Sequence, residues 1–344
     1  MIINFTQLKH LFKENREIFL FMALGVITYY LSVYFSKDWL HYNWMYEHDI
    51  VNTTWQAFFS KFSVFKEPLF FILSKAIGHL IGFSAFVFFA TVIFLTIKLH
   101  YLAKIMKDPY LGTFFYVCFY LLLFEGTALR VGYAVALIIP ALYYLKEHKF
   151  FYAFLLVVAA SQIHLTALVF LMVFPLYFFK RLNIFVFVAF IFSPLLIISD
   201  ISVLAIIKQF TTSINPKYLY YFNQERLLVQ NSTGLYFYFI GFFAILLAVV
   251  FYYLKEKIRN DRFILIIFSI TMCGVVSMCI FNDYVAVGAR FGELLLVPIV
   301  ILLSYLYAQF SFNKMIIHQI GLVSLSLMYF ASRLIYLYPK IIGV

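Results

Sequence analysis

Charge is what this sequence has least of. Asp, Glu, Lys and Arg make up 12% of its 344 residues, about half the 25% of an ordinary soluble chain. Cysteine is scarce too: Cys118, Cys273 and Cys279 each sit inside an apolar run without metal-ligand spacing. They read as small hydrophobes, so no redox or metal function is expected from them. No P-loop, Gly-rich dinucleotide loop, HExxH or serine nucleophile elbow occurs, which counts against ATP-driven transport and hydrolase chemistry. What the chain has instead is 65% hydrophobic and 22% aromatic residues. That composition is an integral membrane protein's, and it excludes secreted enzymes, receptors with large soluble domains and nucleic-acid-binding modules.

The formal charge of +11 first reports orientation and lipid headgroups in such a chain, before any polyanionic partner. Lys9, Lys13 and Arg16 precede an apolar stretch from 18 to 35 that lacks a small-x-small cleavage site. It is expected to be a retained anchor starting from the cytoplasm. Basic clusters at Lys98/Lys104/Lys107, Lys146/Lys149, Lys180/Arg181, Lys255 to Arg262 and Lys314 then mark cytoplasmic ends. Expected spans are 83–103, 109–125, 131–145, two short ones between Lys149 and Lys180, 183–199, 234–254, 263–281, 291–309 and 315–335. The fold class is all-α and polytopic with about 10–11 transmembrane helices, in one domain over 1–344 with outer segments at 36–67 and 200–233. In this scheme the turn from Glu125 to Arg130 lies on the outer face. The two short crossings meet near Ser161–His164, and their shortness points to helix ends inside a recessed, wet cavity.

The first outer segment sets Asp38, His41, Glu47, His48 and Asp49 among Trp39, Tyr42, Trp44, Tyr46 and Trp55; the second has Asn215, Asn223, Gln224, Glu225 and Arg226 among tyrosines. Aromatic faces with amides and carboxylates suit a sugar-binding surface, and equally the aromatic belt of a membrane interface. After Glu67-Pro68, a polar stripe of Ser74, Lys75 and His79 opposes Phe70, Leu73, Ile77 and Leu80. Proline at the first helical position and this amphipathicity predict a helix lying on the outer surface.

Ionisable groups at membrane depth need a reason. Arg130 follows Gly126-Thr127 and begins a helix with Tyr133 on its own face; snorkelling at a helix end is the alternative. His164 stands with Ser161, Gln162 and Thr166 in an otherwise apolar run, where packing is the alternative. Arg290 follows Asn282-Asp283-Tyr284, with Glu293 one turn later, and an ion pair fixing a helix end would explain it equally. Two arginines and a histidine opening on one outer cavity would fit phosphate or pyrophosphate, which arginine grips through paired, charge-assisted hydrogen bonds.

Four blocks resemble a known family. They are the outer segment ending in EPLF (Glu67 to Phe70), LRVGYAVAL (Leu129 to Leu137), the KEHK turn followed by AASQIHLTAL (Ala159 to Leu168), and GARFGELLLVP (Gly288 to Pro298). In order and spacing they are similar to the EpsG and Wzy-like polysaccharide polymerases. The resemblance implies a GT-C-like membrane glycosyltransferase of the bacterial cytoplasmic membrane with its active site on the outer face. Its substrates would be undecaprenyl-pyrophosphate-linked oligosaccharides, as donor and acceptor, with undecaprenyl pyrophosphate leaving. Membrane lipid and a chain-length regulator protein are the implied partners, with no nucleic acid and no cofactor. Arg130 and Arg290 would bind the pyrophosphate, with Asp49, Tyr133 and Gln162 also lining the substrate site. His164 would be a further phosphate ligand or the base, a role for which Asp283, Glu293, Glu67 and Asp49 compete. A metal-independent site is expected because arginines already counter the phosphate charge. A lipid-linked glycan flippase and a membrane O-acyltransferase remain the rival readings, although no internal repeat of the kind found in alternating-access transporters is visible.

Overall fold

The computed structural model describes residues 16–57, 68–106, 108–199, 233–282 and 284–337. Glu67, Asp283, Lys9, Lys13, Lys107 and almost all of the second outer segment lie outside these residues. Among the described residues the chain is helical throughout, without strands. Seven helices are long and apolar enough to cross a membrane, or eight if one bent pair counts as a span, and four shorter apolar helices accompany them. The chain is a polytopic, all-α membrane protein.

The chain forms two compact units, Met1–Leu168 with Phe310–Val344, and Val169–Gln309. The first contains α1 (Arg16–Phe35), α2 (Lys37–Met45, continuing through a π-helical turn, Tyr46–Ile50), α3 (Pro68–Ile81) and α4 (Phe83–Met106). It continues with α5 (Pro109–Tyr116, running into a π-helical stretch Val117–Glu125), α6 (Leu129–Lys146), α7 (Phe150–Ile163) and, returning from the end of the chain, the last helix. The second holds α8 (Val173–Phe178, preceded by a 3-10 stretch Leu165–Met172), α9 (Lys180–Phe192), α10 (Pro194–Ile198), α11 (Thr233–Asn260), α12 (Arg262–Ile280) and α13 (Val285–Leu296). It ends in most of α14 (Ile299–Phe312), and α15 (Ile316–Leu337) is the helix that returns to the first unit.

α4 organises the first unit, with α1, α3 and α6 packed around it. Its buried positions include Phe83, Val87, Ala90, Thr91, Leu95, Lys98, Leu102 and Ile105, the alternating three-and-four spacing that keeps one seam facing neighbours. Three of them, seven residues apart, hold α6. The Thr91 hydroxyl meets the Tyr133 hydroxyl at 3.0 Å, the Lys98 ammonium donates to the Gly132 carbonyl at 2.9 Å, and Lys146 donates to the Ile105 carbonyl at 2.7 Å. α6 turns into α7 through Glu147-His148-Lys149, where His148 takes φ 58° and the Lys149 amide reaches back to the Tyr144 carbonyl, a left-handed helix stop.

Three expectations change here. The first outer segment is not a loop at its start: residues 37–50 are helical, and Trp39, Tyr42, Tyr46 and Ile50 are buried. Tyr46 stacks on Phe83 at 4.7 Å and Trp39 stands edge-on to Tyr29 at 6.0 Å, so these rings are core. Trp44 and Trp55 are the exposed ones. α3 buries one face, as an amphipathic helix does, but that face is not divided from the other by polarity. Ser74 and Lys75 are buried together with Phe70 and Phe71, while His79 is exposed together with Ile77, Leu80 and Ile81, so each face mixes polar and apolar residues. The third change concerns Lys98, which was assigned to a cytoplasmic cluster. It is fully buried and pairs with Glu125, a residue assigned to the opposite face, so these two groups cannot mark opposite leaflets.

In the second unit α12 is buried on nearly every side and packs against α8, α9, α11 and α13. A Cβ on Gly292 would run into the Met278 side chain, and one on Gly274 would lie 3.0 Å from the Gly292 carbonyl, so α12 and α13 approach through paired glycines. The expected span 291–309 is broken at Val297-Pro298, where its halves bend by 41°, because proline cannot donate to the helical ladder and crowds the preceding turn.

Candidate functional site

The turn between α5 and α6 carries the first arginine. Val117–Glu125 is wound as a π-helix, with the Gly126 and Ala128 amides reaching back five residues to the Leu121 and Leu123 carbonyls. Runs of this winding are rare and usually short. The stretch from Cys118 to Glu125 is buried all round, as for a helix inside a protein core, and its Phe119 stacks on Tyr329 of α15 at 4.6 Å. Glu125 ends it. Its carboxylate pairs with Lys98 and accepts from the Tyr116 hydroxyl at 3.0 Å, and all three side chains are at most 1% exposed. Lys98 lies about 22 Å along α4 from Phe83, at 1.5 Å per residue. The turn itself lies nearer the Phe83 end: Tyr133, one turn past Arg130, meets Val87 and Thr91, about 6 and 12 Å along α4 from Phe83.

α6 starts at Leu129 without a side-chain cap and without an acidic residue in its first turn. Arg130 occupies that turn, so a guanidinium stands where the helix dipole is already positive, the reverse of the usual charge preference. Its central carbon lies 5.5 Å from the Tyr42 ring and 5.7 Å from the Phe71 ring. α2 and α3 thus supply flat apolar faces on which arginine stacks.

α7 brings His164 to the same end. Arg130 lies 18 positions before His148 in the reversing turn and His164 lies 16 after it, so on packed neighbouring helices the two sit at similar depth. His164 is the single extended residue (φ −148°, ψ 116°) between α7 and the 3-10 stretch. The expected interruption between two short crossings thus falls on the histidine itself. Gln162 donates to the Ser161 hydroxyl at 3.2 Å, and Ser161 is buried. Tyr133 is 1% exposed, its hydroxyl engaged by Thr91 and the Val87 carbonyl and its ring 4.8 Å from Phe94; it positions α6 from within the core.

Asp49 lies in the π-helical turn after α2, half-buried, its carbonyl accepting from Thr53. That turn is held from α3 by Lys75, whose ammonium donates to the Ile50 carbonyl at 2.8 Å and to Thr53, and lies 5.2 Å from the Trp55 ring. Burial pushes the neighbouring Tyr46 phenol above its ordinary value, which keeps it neutral at physiological pH. Arg130, His164, Gln162, Tyr133 and Asp49 all belong to the first unit.

Arg290 and Glu293 belong to α13 in the second unit, Arg290 exposed and Glu293 half-buried. The start of this helix is fixed by Tyr236, which donates to the Met278 carbonyl at 2.8 Å and whose hydroxyl occupies the place of a Gly288 side chain. Gly288 and Gly292 in the GARFG block therefore have packing reasons to be glycine. A cavity of about 330 Å³ in this unit, bordered by Met172, Leu176, Phe185 and Val276, has no charged lining. It suits a hydrocarbon chain rather than a diphosphate. Among the described residues, no three of His, Cys, Asp and Glu converge as metal ligands.

Sequence reasoning missed the Lys98–Glu125–Tyr116 group and the carbonyl cage around Lys75. The available signal was a lone cation and a lone carboxylate inside apolar runs, which at membrane depth call for each other.

The model of the EpsG family matches residues 10–341, and the chain belongs to that family. No curated protein and no solved structure matches it.

Proposed function

We propose that this EpsG-family membrane protein is a glycosyltransferase that polymerises undecaprenyl-pyrophosphate-linked oligosaccharide repeat units at the outer face of the bacterial cytoplasmic membrane. In the reaction, a hydroxyl at the nonreducing end of one lipid-linked unit attacks the anomeric carbon of the glycan on another. The anomeric C–O bond to pyrophosphate breaks, its electron pair leaves with undecaprenyl pyrophosphate, and the hydroxyl proton passes to a base. The catalyst must stabilise the negative charge growing on the leaving pyrophosphate and orient the acceptor.

The observation that supports this most is Arg130 in the first turn of α6, which has no side-chain cap, with its guanidinium beside the Tyr42 and Phe71 rings. A helix N-terminus and a guanidinium side by side favour an anion. His164, at the same end of the α6/α7 pair, is a phosphate ligand or the base. Arg290 is assigned to the pyrophosphate as well, with Asp49, Glu293, Glu67 and Asp283 as candidates for the base or the sugar-orienting group and Gln162 for a hydroxyl ligand. The exposed Trp44 stacks one face on His48 at 4.7 Å and has the other for a sugar.

Deletion and complementation, with the surface glycan resolved as a ladder, test the reading. Loss of a polymerase leaves single repeat units displayed outside. Loss of a flippase traps them on the inner leaflet, and loss of an acyltransferase changes the mass of each repeat but not the number. Either of the last two outcomes overturns the proposal.

A further inference from the structure

Lys98 reaches both sides of the turn that carries Arg130. From α4, its ammonium pairs with Glu125, the last residue before the turn, and donates at 2.9 Å to the carbonyl of Gly132, two residues beyond Arg130. Tyr116 closes the group from α5, its hydroxyl donating to both carboxylate oxygens at 3.2 and 3.0 Å while its ring lies 5.5 Å from the ammonium. The turn is anchored to the π-helix on its near side, through the Gly126 and Ala128 amides and the Thr127 hydroxyl, which donates to the Leu123 carbonyl. Toward α6 the Ala128 backbone (φ −87°, ψ 60°) leaves the helical region. The Lys98 bridge is what ties the two sides together from a third helix.

A buried ion pair is poor evidence of stabilisation, since well-packed apolar residues of similar volume serve a core as well or better. What charges add is direction. A carboxylate and a carbonyl converging on one ammonium fix the separation of Glu125 and Gly132, and so the place where the Arg130 backbone begins α6. Recognition of a diphosphate by an arginine fork tolerates misplacement of only about 0.5 Å.

We propose that Lys98 and Glu125 are positioning residues for Arg130, clamping the Glu125–Gly132 turn so that the guanidinium is held where the lipid diphosphate binds. The functional half of this proposal rests on the polymerase reading; the clamp itself does not.

The test uses the full-length protein in membranes, with the neutral double variant Lys98→Met/Glu125→Gln, which leaves neither charge stranded, and the milder Tyr116→Phe. Hydrogen exchange read by mass spectrometry should show faster exchange at the amides of Gly126 to Arg130, with α4 and the rest of α6 unchanged. Unchanged exchange in both variants refutes the clamp, whatever the enzyme's activity. In proteoliposomes supplied with lipid-linked repeat units, the double variant should slow chain extension per folded protein by about tenfold, the scale of coupling between groups in one network. In an Arg130→Lys background the same pair of changes should cost less than about twofold, because the group it positions is already impaired. Equal losses in both backgrounds would mean that the pair acts elsewhere, and would overturn the proposal. If the wild-type protein makes no polymer while the exchange result holds, the polymerase reading fails and the clamp stands.

Discussion

The carboxylate of Glu125 occupies the space that a side chain on Gly132 would need: a Cβ there would lie 3.1 Å from Glu125 Oε1 and 3.0 Å from the Phe124 carbonyl oxygen. Glycine in the LRVGYAVAL block thus lets a buried ion pair and a backbone carbonyl pack close against α6. Gly132→Ala should destabilise the protein by about 1–3 kcal/mol, the usual cost of overpacking. Thermal unfolding in detergent checks it, with Gly321→Ala as a control. A Cβ at Gly321 meets nothing within 4 Å, so that change should gain up to about 1 kcal/mol of helix propensity. Equal behaviour of the two variants would show that the crowding at Gly132 is without consequence.

Lys75 is a structural cation. Replacing it with Met removes the donor from the Thr53 carbonyl and leaves the Ile50 carbonyl only the long bond from the Thr53 amide at 3.4 Å; a carbonyl left unsatisfied in a buried place costs about 1–3 kcal/mol. Lys75→Met should therefore loosen residues 46–57 first, seen as faster proteolysis in that segment before global unfolding. Cleavage at the wild-type rate would deny Lys75 this role.

How far this could be read from sequence depends on the kind of signal. Helix positions were legible because long apolar runs end at polar clusters: the expected spans 109–125, 263–281 and 315–335 fall within two residues of α5 with its π-helical continuation, α12 and α15. Pro68 does open α3, and the short crossings do part at His164. What failed were inferences from one residue's polarity to its surroundings. Lys98 was read as a cytoplasmic marker because its partner Glu125 is 27 residues away, and no local pattern announces a pair at that distance. On α3 the polar stripe itself divides, with Ser74 and Lys75 buried and His79 exposed, because Lys75 is drawn inward by the Ile50 and Thr53 carbonyls, which no helical spacing announces. Trp39 and Tyr42 were grouped with Trp44 because a core and an aromatic belt have the same composition. The shared end of Arg130 and His164 on α6 and α7 was legible from the spacing of the spans, while the clamp around the Arg130 turn was not.

That last grouping gives a contrast between neighbours on α2. Trp39 is 7% exposed and Trp44 53%. Trp39→Ala should cost about 3–5 kcal/mol of stability through the cavity it leaves. Trp44→Ala should leave stability within about 0.5 kcal/mol, as for a substitution outside the core. If Trp44 stacks on sugar, its loss should weaken acceptor use in an extension assay; unchanged kinetics would assign it to the membrane interface alone.

Arg290 stands exposed on α13. Arg290→Ala in cells should leave the protein in the membrane at normal abundance and convert long-chain glycan to single repeat units. Arg290→Lys should also extend chains poorly, because lysine keeps the charge but lacks the planar fork. Full rescue by lysine would make Arg290 a general electrostatic contributor and not a bidentate ligand.

The most direct measurement is chain extension by the purified protein in proteoliposomes loaded with undecaprenyl-pyrophosphate-linked repeat units, comparing wild type with Arg130→Ala at matched, folded amounts. Wild type should build a ladder and release one undecaprenyl pyrophosphate per linkage, and Arg130→Ala should leave the units single. A ladder of normal length from Arg130→Ala would contradict a diphosphate seat at the head of α6.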